Sequence, residues 1–257
     1  LNATFFTTGM GQFRYTYAPD DKLLQTLEIR AHAQQTLHEM DNRGKPTFEA
    51  GEFPNGNPRP PLRIGVEAEI QNVGGRIAAD LSPSDAWTVK LGGDVLHTYR
   101  DAVRPFQAVM PDGSRVTPPF YNSAQVWPGV TITQGGGFLN LQRHIGTVTI
   151  AATGRLDLAG SDARSPSEPF LENAGAARSD LEQQDVMGSG AITVSLPLSK
   201  RWTLSLGGGT VARPPTALER YADRFPATKA QTSAEFQGNP FLDPERSTQA
   251  DLWLKGG

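Results

Sequence analysis

The sequence predicts an all-β protein, one antiparallel up-and-down sheet of about nine strands. Three observations lead there. Apolar residues recur at every second position through most of the chain, the period of a strand. Gly (27) and Pro (20) gather between the alternating stretches, where they set turns and loops. The connections also alternate in length: short ones fall near residues 19, 84, 145 and 199, long ones at 41–61, 104–126, 160–182 and 212–245. In a meander this puts every short connection on one rim and every long one on the other. A sandwich or propeller has no reason to sort its connections this way, and a hairpin period of roughly 55–65 residues is too long for a propeller blade.

The strands follow in order. Asn2 to Tyr17 is rich in Thr, Phe and Tyr, with Phe13, Tyr15 and Tyr17 alternating against Gln12, Arg14 and Thr16. Ala18-Pro-Asp-Asp21 is a turn. Leu27, Ile29, Ala31 and Ala33 then alternate with Glu28, Arg30 and His32. The helix formers of residues 21–40 leave a helix as a rival there. Ile64, Val66, Ala68 and Ile70 oppose Glu67 and Glu69, but beyond Gly74-Gly75 the apolar residues are Ile77, Ala79 and Leu81, which predicts a bulge at the glycines. Trp87, Val89, Leu91 and Val95 form a fourth strand, and Val130 to Leu141 a fifth whose parity shifts across Gly135-Gly-Gly137. Val148, Ile150, Leu156 and Leu158 mark the sixth. Ile192, Val194 and Leu196 mark the seventh, Trp202, Leu204 and Leu206 the eighth, and Thr248 to Lys255 the ninth.

Composition excludes several classes. With Cys at 0 there is neither a disulfide framework nor a thiolate metal site. A net charge of −3, a pI near 5.8 and no basic run argue against nucleic acid as a partner. Mean hydropathy is −0.40 and no run of about 18 apolar residues exists, which excludes a membrane helix. A membrane barrel stays open as a reading, because its strands need only about 10 alternating residues and its lumen is polar. Large barrels of about 22 strands hold a plug in that lumen. On this reading Ile64, Val66, Ile150, Leu156, Leu204 and Leu206 face lipid from the convex side. Glu28, Arg30, Glu67, Glu69, Arg76, Asp80, Lys90, Asp94, Arg155 and Asp157 line the concave side. Phe13, Tyr15, Tyr17, Trp87 and Trp202, beside short turns, form an aromatic girdle. Leu1-Asn-Ala-Thr already reads as strand and carries no signal peptide, so the chain is expected to be an internal fragment.

No catalytic constellation stands out, and an enzyme is not expected. Gly207-Gly-Gly209 opens no helix and has no Lys after it, unlike a phosphate loop. The histidines His32, His38, His97 and His144 lack zinc spacing.

Two segments carry a family resemblance. Arg213-Pro-Pro-Thr-Ala-Leu-Glu-Arg-Tyr221 follows a strand, and Gly238-Asn-Pro-Phe-Leu-Asp-Pro-Glu-Arg246 precedes the next. In this order and spacing they resemble the late barrel of TonB-dependent outer-membrane receptors, where such a pair brackets a long extracellular loop. The positions that carry it are Arg213, Pro214, Glu219, Tyr221, Gly238, Asn239, Pro240, Leu242, Pro244, Glu245 and Arg246. The resemblance implies that residues 1–257 are part of a transmembrane β-barrel, an open curved sheet of about nine strands without plug, TonB box or closing C-terminal strand. It further implies residence in the outer membrane of a Gram-negative bacterium, among its lipid. The implied partners are the plug domain, the remaining barrel strands and, through the N-terminal region, the TonB-ExbB-ExbD complex. The implied function is energy-coupled import of a scarce ligand.

A third segment, Leu37-His38-Glu39-Met40-Asp41-Asn42, begins the first long loop. Imidazole and thioether together suit copper, and residues two apart share a strand face. The segment resembles the His-x-Met-Asp-Asn segment of the copper-receptor branch of the same family, where plug residues complete the site. His38 and Met40 are therefore the candidate metal ligands, with copper as the transported ion and no resident cofactor. An iron-siderophore or cobalamin receptor is the alternative, and a soluble or surface all-β binding or adhesion protein is the rival of another class.

Overall fold

In the computed structural model, residues 2–46, 49–52, 54–59, 61–108, 123–223, 225–226 and 235–256 are described. Nine antiparallel strands form one sheet in sequence order: β1 (Asn2–Tyr17), β2 (Leu24–Asp41), β3 (Leu62–Ser84), β4 (Trp87–Ala108), β5 (Ser123–Ile145), β6 (Val148–Ala163), β7 (Gln183–Pro197), β8 (Trp202–Arg213) and β9 (Glu245–Gly256). Each strand pairs with its sequence neighbours, and among the described residues β1 and β9 each have one partner, so the sheet is open. Residues 24–41 are strand, which settles the helix rival. The expected long connections shorten at their ends because strands run past the alternating stretches. β6, for example, runs on to Ala163. The connection at 160–182 is not structureless, since helix α1 (Glu168–Ala174) and a 3-10 turn (Arg178–Leu181) lie in it. Helix α2 (Ala217–Tyr221) lies in the last long connection. Most of the second long connection, 109–122, lies outside the described residues.

Cross-strand partners share a face, so the register assigns every side chain to one of two surfaces. One surface carries the loop helices. Ser161, Asp157 and Arg155 of β6 belong to it, and through paired rungs so do Phe138 on β5, Asp94 on β4, Arg76 on β3 and Arg30 on β2. The other surface is bare. In its lower part it is almost wholly apolar: Phe13, Tyr15 and Tyr17 on β1, Ile77 and Leu81 on β3, Val89 and Leu91 on β4 belong to it, as do Leu139, Leu156, Leu158, Ile192, Val194, Leu196, Leu204, Leu206, Leu252 and Leu254. The belt spans about ten residues per strand, and at ~3.3 Å per residue with a tilt of about 45° it is about 23 Å tall, matching the apolar band of a membrane barrel.

Two expectations need correction. No bulge occurs at Gly74-Gly75 or at Gly135-Gly-Gly137, because the register runs unbroken through both. The surroundings change there instead. Below Gly74, β3 turns Ile77, Ala79 and Leu81 to the bare face. Above it Val66, Ala68 and Ile70 take the covered face, and Glu67 and Glu69 stand on the bare face above the belt. Ile64 and Val66 thus do not face lipid, and Glu67 and Glu69 do not line the covered side. The other residues assigned to either side are placed as expected: Ile150, Leu156, Leu204 and Leu206 are on the bare face, and the remaining eight charged residues on the covered one. A true irregularity lies higher, where Trp127-Pro128-Gly129 meets Arg100-Asp101-Ala102 and the register shifts on both sides of Ala102. Gly129 has φ +62°, a conformation that L side chains resist, and its N–H donates to Asp101 Oδ1 at 3.0 Å.

The glycine run serves the covered face by leaving room. A Cβ on Gly136 would collide with Asp157 Oδ1 and sit 2.8 Å from Arg155 Nη2. That space admits an ion-pair cluster in which Arg155 reaches Asp94 at 2.7 Å and Asp157 at 2.5 Å. Glu28 pairs with Arg14 (2.6 Å) and Arg30 (2.7 Å), and Asp80 with Lys90 (3.0 Å), so charges of the covered face are matched in place.

Candidate functional site: the loop clasp and the lumenal rim

The last long connection folds back onto the covered face and is held there. Thr216 caps α2: its Oγ1 accepts from Glu219 N (3.2 Å) and Glu219 Oε2 accepts from Thr216 N (2.7 Å). Arg213, at the end of β8, donates to both Glu219 oxygens at 2.9 Å and meets Glu245 of β9 at 2.5 Å. The Arg213 guanidinium, followed by the Thr216 backbone N–H, pulls the Glu219 carboxyl from 4.5 to about 2. A depressed carboxylate stabilises above its unfolded value and loses that contribution as the proton arrives. The cap of α2 is therefore expected to hold at neutral pH and to loosen as pH falls from 4.5 through about 2, read by amide exchange of residues 217–221. Glu219→Gln should flatten that dependence.

Behind the cap, Arg220 is buried at 2 % exposure and grips Asp185 of β7 with two bonds, 2.7 and 2.9 Å. It also donates to Ser161 Oγ (3.1 Å) and to the Leu242 carbonyl (2.6 Å). Tyr221 Oη donates to the Leu181 carbonyl (2.6 Å) and pairs with Ser161 Oγ (2.9 Å), and burial pushes its phenol up. Asp223 accepts from Ser167 N and Oγ, both at 2.6 Å, which ties in the N-terminus of α1. Val130, Ala163, Phe170, Leu181, Ala217 and Tyr221 form the apolar core beneath.

The second half of the motif closes over α2. Gly238 N donates to the Ala222 carbonyl (2.7 Å) and Asn239 N to the Glu219 carbonyl (2.9 Å). A Cβ on Gly238 would lie 2.5 Å from the Arg220 carbonyl carbon, so only glycine allows this approach. Asn239 Oδ1 receives Phe241 N at 3.0 Å, and Pro240 is fully buried. Pro214 and Pro244 are half-buried, and Arg246 reaches the Gly188 carbonyl at 3.4 Å. The residues singled out in the sequence are thus brought together. Arg220, Asp185, Ser161 and Asp223 were missed. Arg220 lay inside the motif, but nothing in the alternation of Gln183, Asp185 and Met187 pointed to an ion pair.

His38 and Met40 stand elsewhere, on β2, three strands from β5. Both are half-buried and both lie on the covered face, paired with Ala68 and Val66. The His38 ring meets Phe6 edge-on with centroids 5.3 Å apart. Among the described residues no three His, Asp, Glu or Cys side chains converge on a metal position. On the same face, Arg100 of β4 lies over Trp127 at 5.7 Å.

A meander with short turns below, loops folded inward above and an apolar belt outside is the wall of an outer-membrane-type barrel. The TonB dependent receptor-like, beta-barrel family model matches residues 2–256, so the chain belongs to that family of transport receptors, whose members reside in the outer membrane of Gram-negative bacteria. Among solved structures it resembles the copper transporter OprC, 18 % identical with a TM-score of 0.72, over 99 % of this chain and 36 % of that one. It also resembles the siderophore receptor PiuA from Acinetobacter baumannii, 10 % identical with a TM-score of 0.62, over 97 % of this chain and 37 % of that one. At these identities the likeness shows the fold. The chain spans little more than a third of either structure. No curated protein matches.

Proposed function

We propose that this chain is part of the barrel of an outer-membrane TonB-dependent receptor that imports copper, with His38 and Met40 as two of its ligands. The observation that carries the reading is their placement: imidazole and thioether two residues apart on one strand, half-buried, on the face toward the loop helices, at the top of β2. Soft ligands of this pair favour copper over magnesium or calcium. Two ligands are too few for tight binding, and plug residues supply the others. The plug, the remaining strands and the TonB-ExbB-ExbD complex complete the transporter.

Copper stoichiometry of the purified full-length receptor tests this. Wild type binds one copper tightly, and the double change His38→Ala, Met40→Ala weakens it at least tenfold. Equal binding by the two proteins, or no binding by wild type, removes these residues from the site. One observation favours an anionic iron chelate instead. Arg100 faces the lumen with its guanidinium over the Trp127 ring, and among the described residues its Nε has no hydrogen-bond partner. A receptor that binds ferric siderophore and no copper, with Arg100→Gln weakening it, decides for that reading.

A further inference from the structure

We infer that the lower rim of the bare face holds an anionic phospholipid, its phosphate at Arg143 and Trp87 and a chain in the groove above them. Trp87 and Arg143 are direct cross-strand partners on β4 and β5, beside the short turns. The guanidinium lies over the indole ring, 5.0 Å from its centroid. Among the described residues no carboxylate pairs with it. A cation held against an aromatic face at the boundary of an apolar belt presents donors to whatever anion occupies the interface, and in a bilayer that anion is a lipid phosphate. The next turn, Leu198-Ser-Lys-Arg201, adds two cations and no acid at the same level.

Above the pair the ladder turns apolar, Val89 opposite Leu141 and Leu91 opposite Leu139, and then empties at Gly93 opposite Gly137. Ile77 of β3 and Leu156 of β6 flank the two glycines on the same rung, so an apolar groove two strands wide runs between them. A Cβ on Gly137 would meet nothing closer than the Gly92 carbonyl oxygen at 3.8 Å, so the floor is open. A phosphate at the foot sends its acyl chain straight up this groove. Charge below and a smooth apolar slot above fit a two-part amphiphile better than a free anion or a bare hydrocarbon.

The test uses the full-length receptor in a neutral detergent, titrated with dioleoyl phosphatidylglycerol and read by native mass spectrometry. Dioleoyl phosphatidylcholine and inorganic phosphate are the comparisons. An interfacial Arg near an anionic lipid is worth about 1 kcal/mol, so Arg143→Gln is expected to weaken phosphatidylglycerol about fivefold. Gly137→Leu, which fills the groove without altering charge, should weaken both lipids alike. Wild type retaining phosphatidylcholine as tightly as phosphatidylglycerol overturns the preference for an anionic lipid, and undiminished phosphatidylglycerol binding by Arg143→Gln overturns the phosphate contact. Undiminished binding by Gly137→Leu overturns the groove, and inorganic phosphate that displaces the lipid at equal concentration overturns the amphiphile.

Discussion

Asp185→Asn is expected to release the clasp at the mouth of the barrel. The substitution leaves the Arg220 guanidinium buried without its counter-charge, and breaking one side of a buried pair costs about 3–5 kcal/mol. The loss should be local, because the strands keep their ladders. Amide exchange of residues 217–223 should accelerate by at least a hundredfold, with cleavage in the last long connection by a protease that spares wild type. The paired change Arg220→Met, Asp185→Leu removes both charges and fills their volume, so it should retain most of the protection. Unchanged exchange in Asp185→Asn would mean that the apolar core alone holds the helix down.

Leu156→Arg is expected to impair assembly of the receptor into outer membrane. Leu156 is 59 % exposed on the bare face, opposite Gly137 on β5, well inside the belt. An Arg near the bilayer midplane costs about 2–4 kcal/mol, falling to about 0–1 near the interfaces. Ile150→Arg, two residues from the turn that precedes Val148, should therefore cost much less, and Thr149→Arg on the covered face close to nothing. Assembled receptor measured by heat-modifiable mobility should rank Thr149→Arg, Ile150→Arg, Leu156→Arg from most to least. Equal assembly of all three would mean that the bare face does not meet lipid.

The fold was legible because alternation and loop sorting report on a meander directly, and the Arg213–Tyr221 and Gly238–Arg246 segments report on the family. Parity misled at β3 and β5 for a physical reason. A sequence pattern records which face is dry, and these strands pass from lipid into water, so the dry face changes while the register does not. Alternation alone cannot separate that from an inserted residue. The Arg220–Asp185 pair was illegible because its members are 35 positions apart and meet only once α2 folds back. His38 and Met40 were legible as a spacing, and their shared face follows from strand geometry, but the rest of a metal site must come from other segments.

The wall is uneven. β3, β4 and β5 have 23, 22 and 23 residues, whereas β8 and β9 have 12 each. About ten residues of β3 rise above the apolar belt, and at ~3.3 Å per residue and a tilt of about 45° they stand about 23 Å over the lipid. This palisade turns Glu67 and Glu69 outward above the lipid. The clasp stands on the inner side of the same wall, where Asp223 N donates to the Val126 carbonyl of β5. Residues on its outer side can therefore change without touching the contacts that hold the clasp on its inner side.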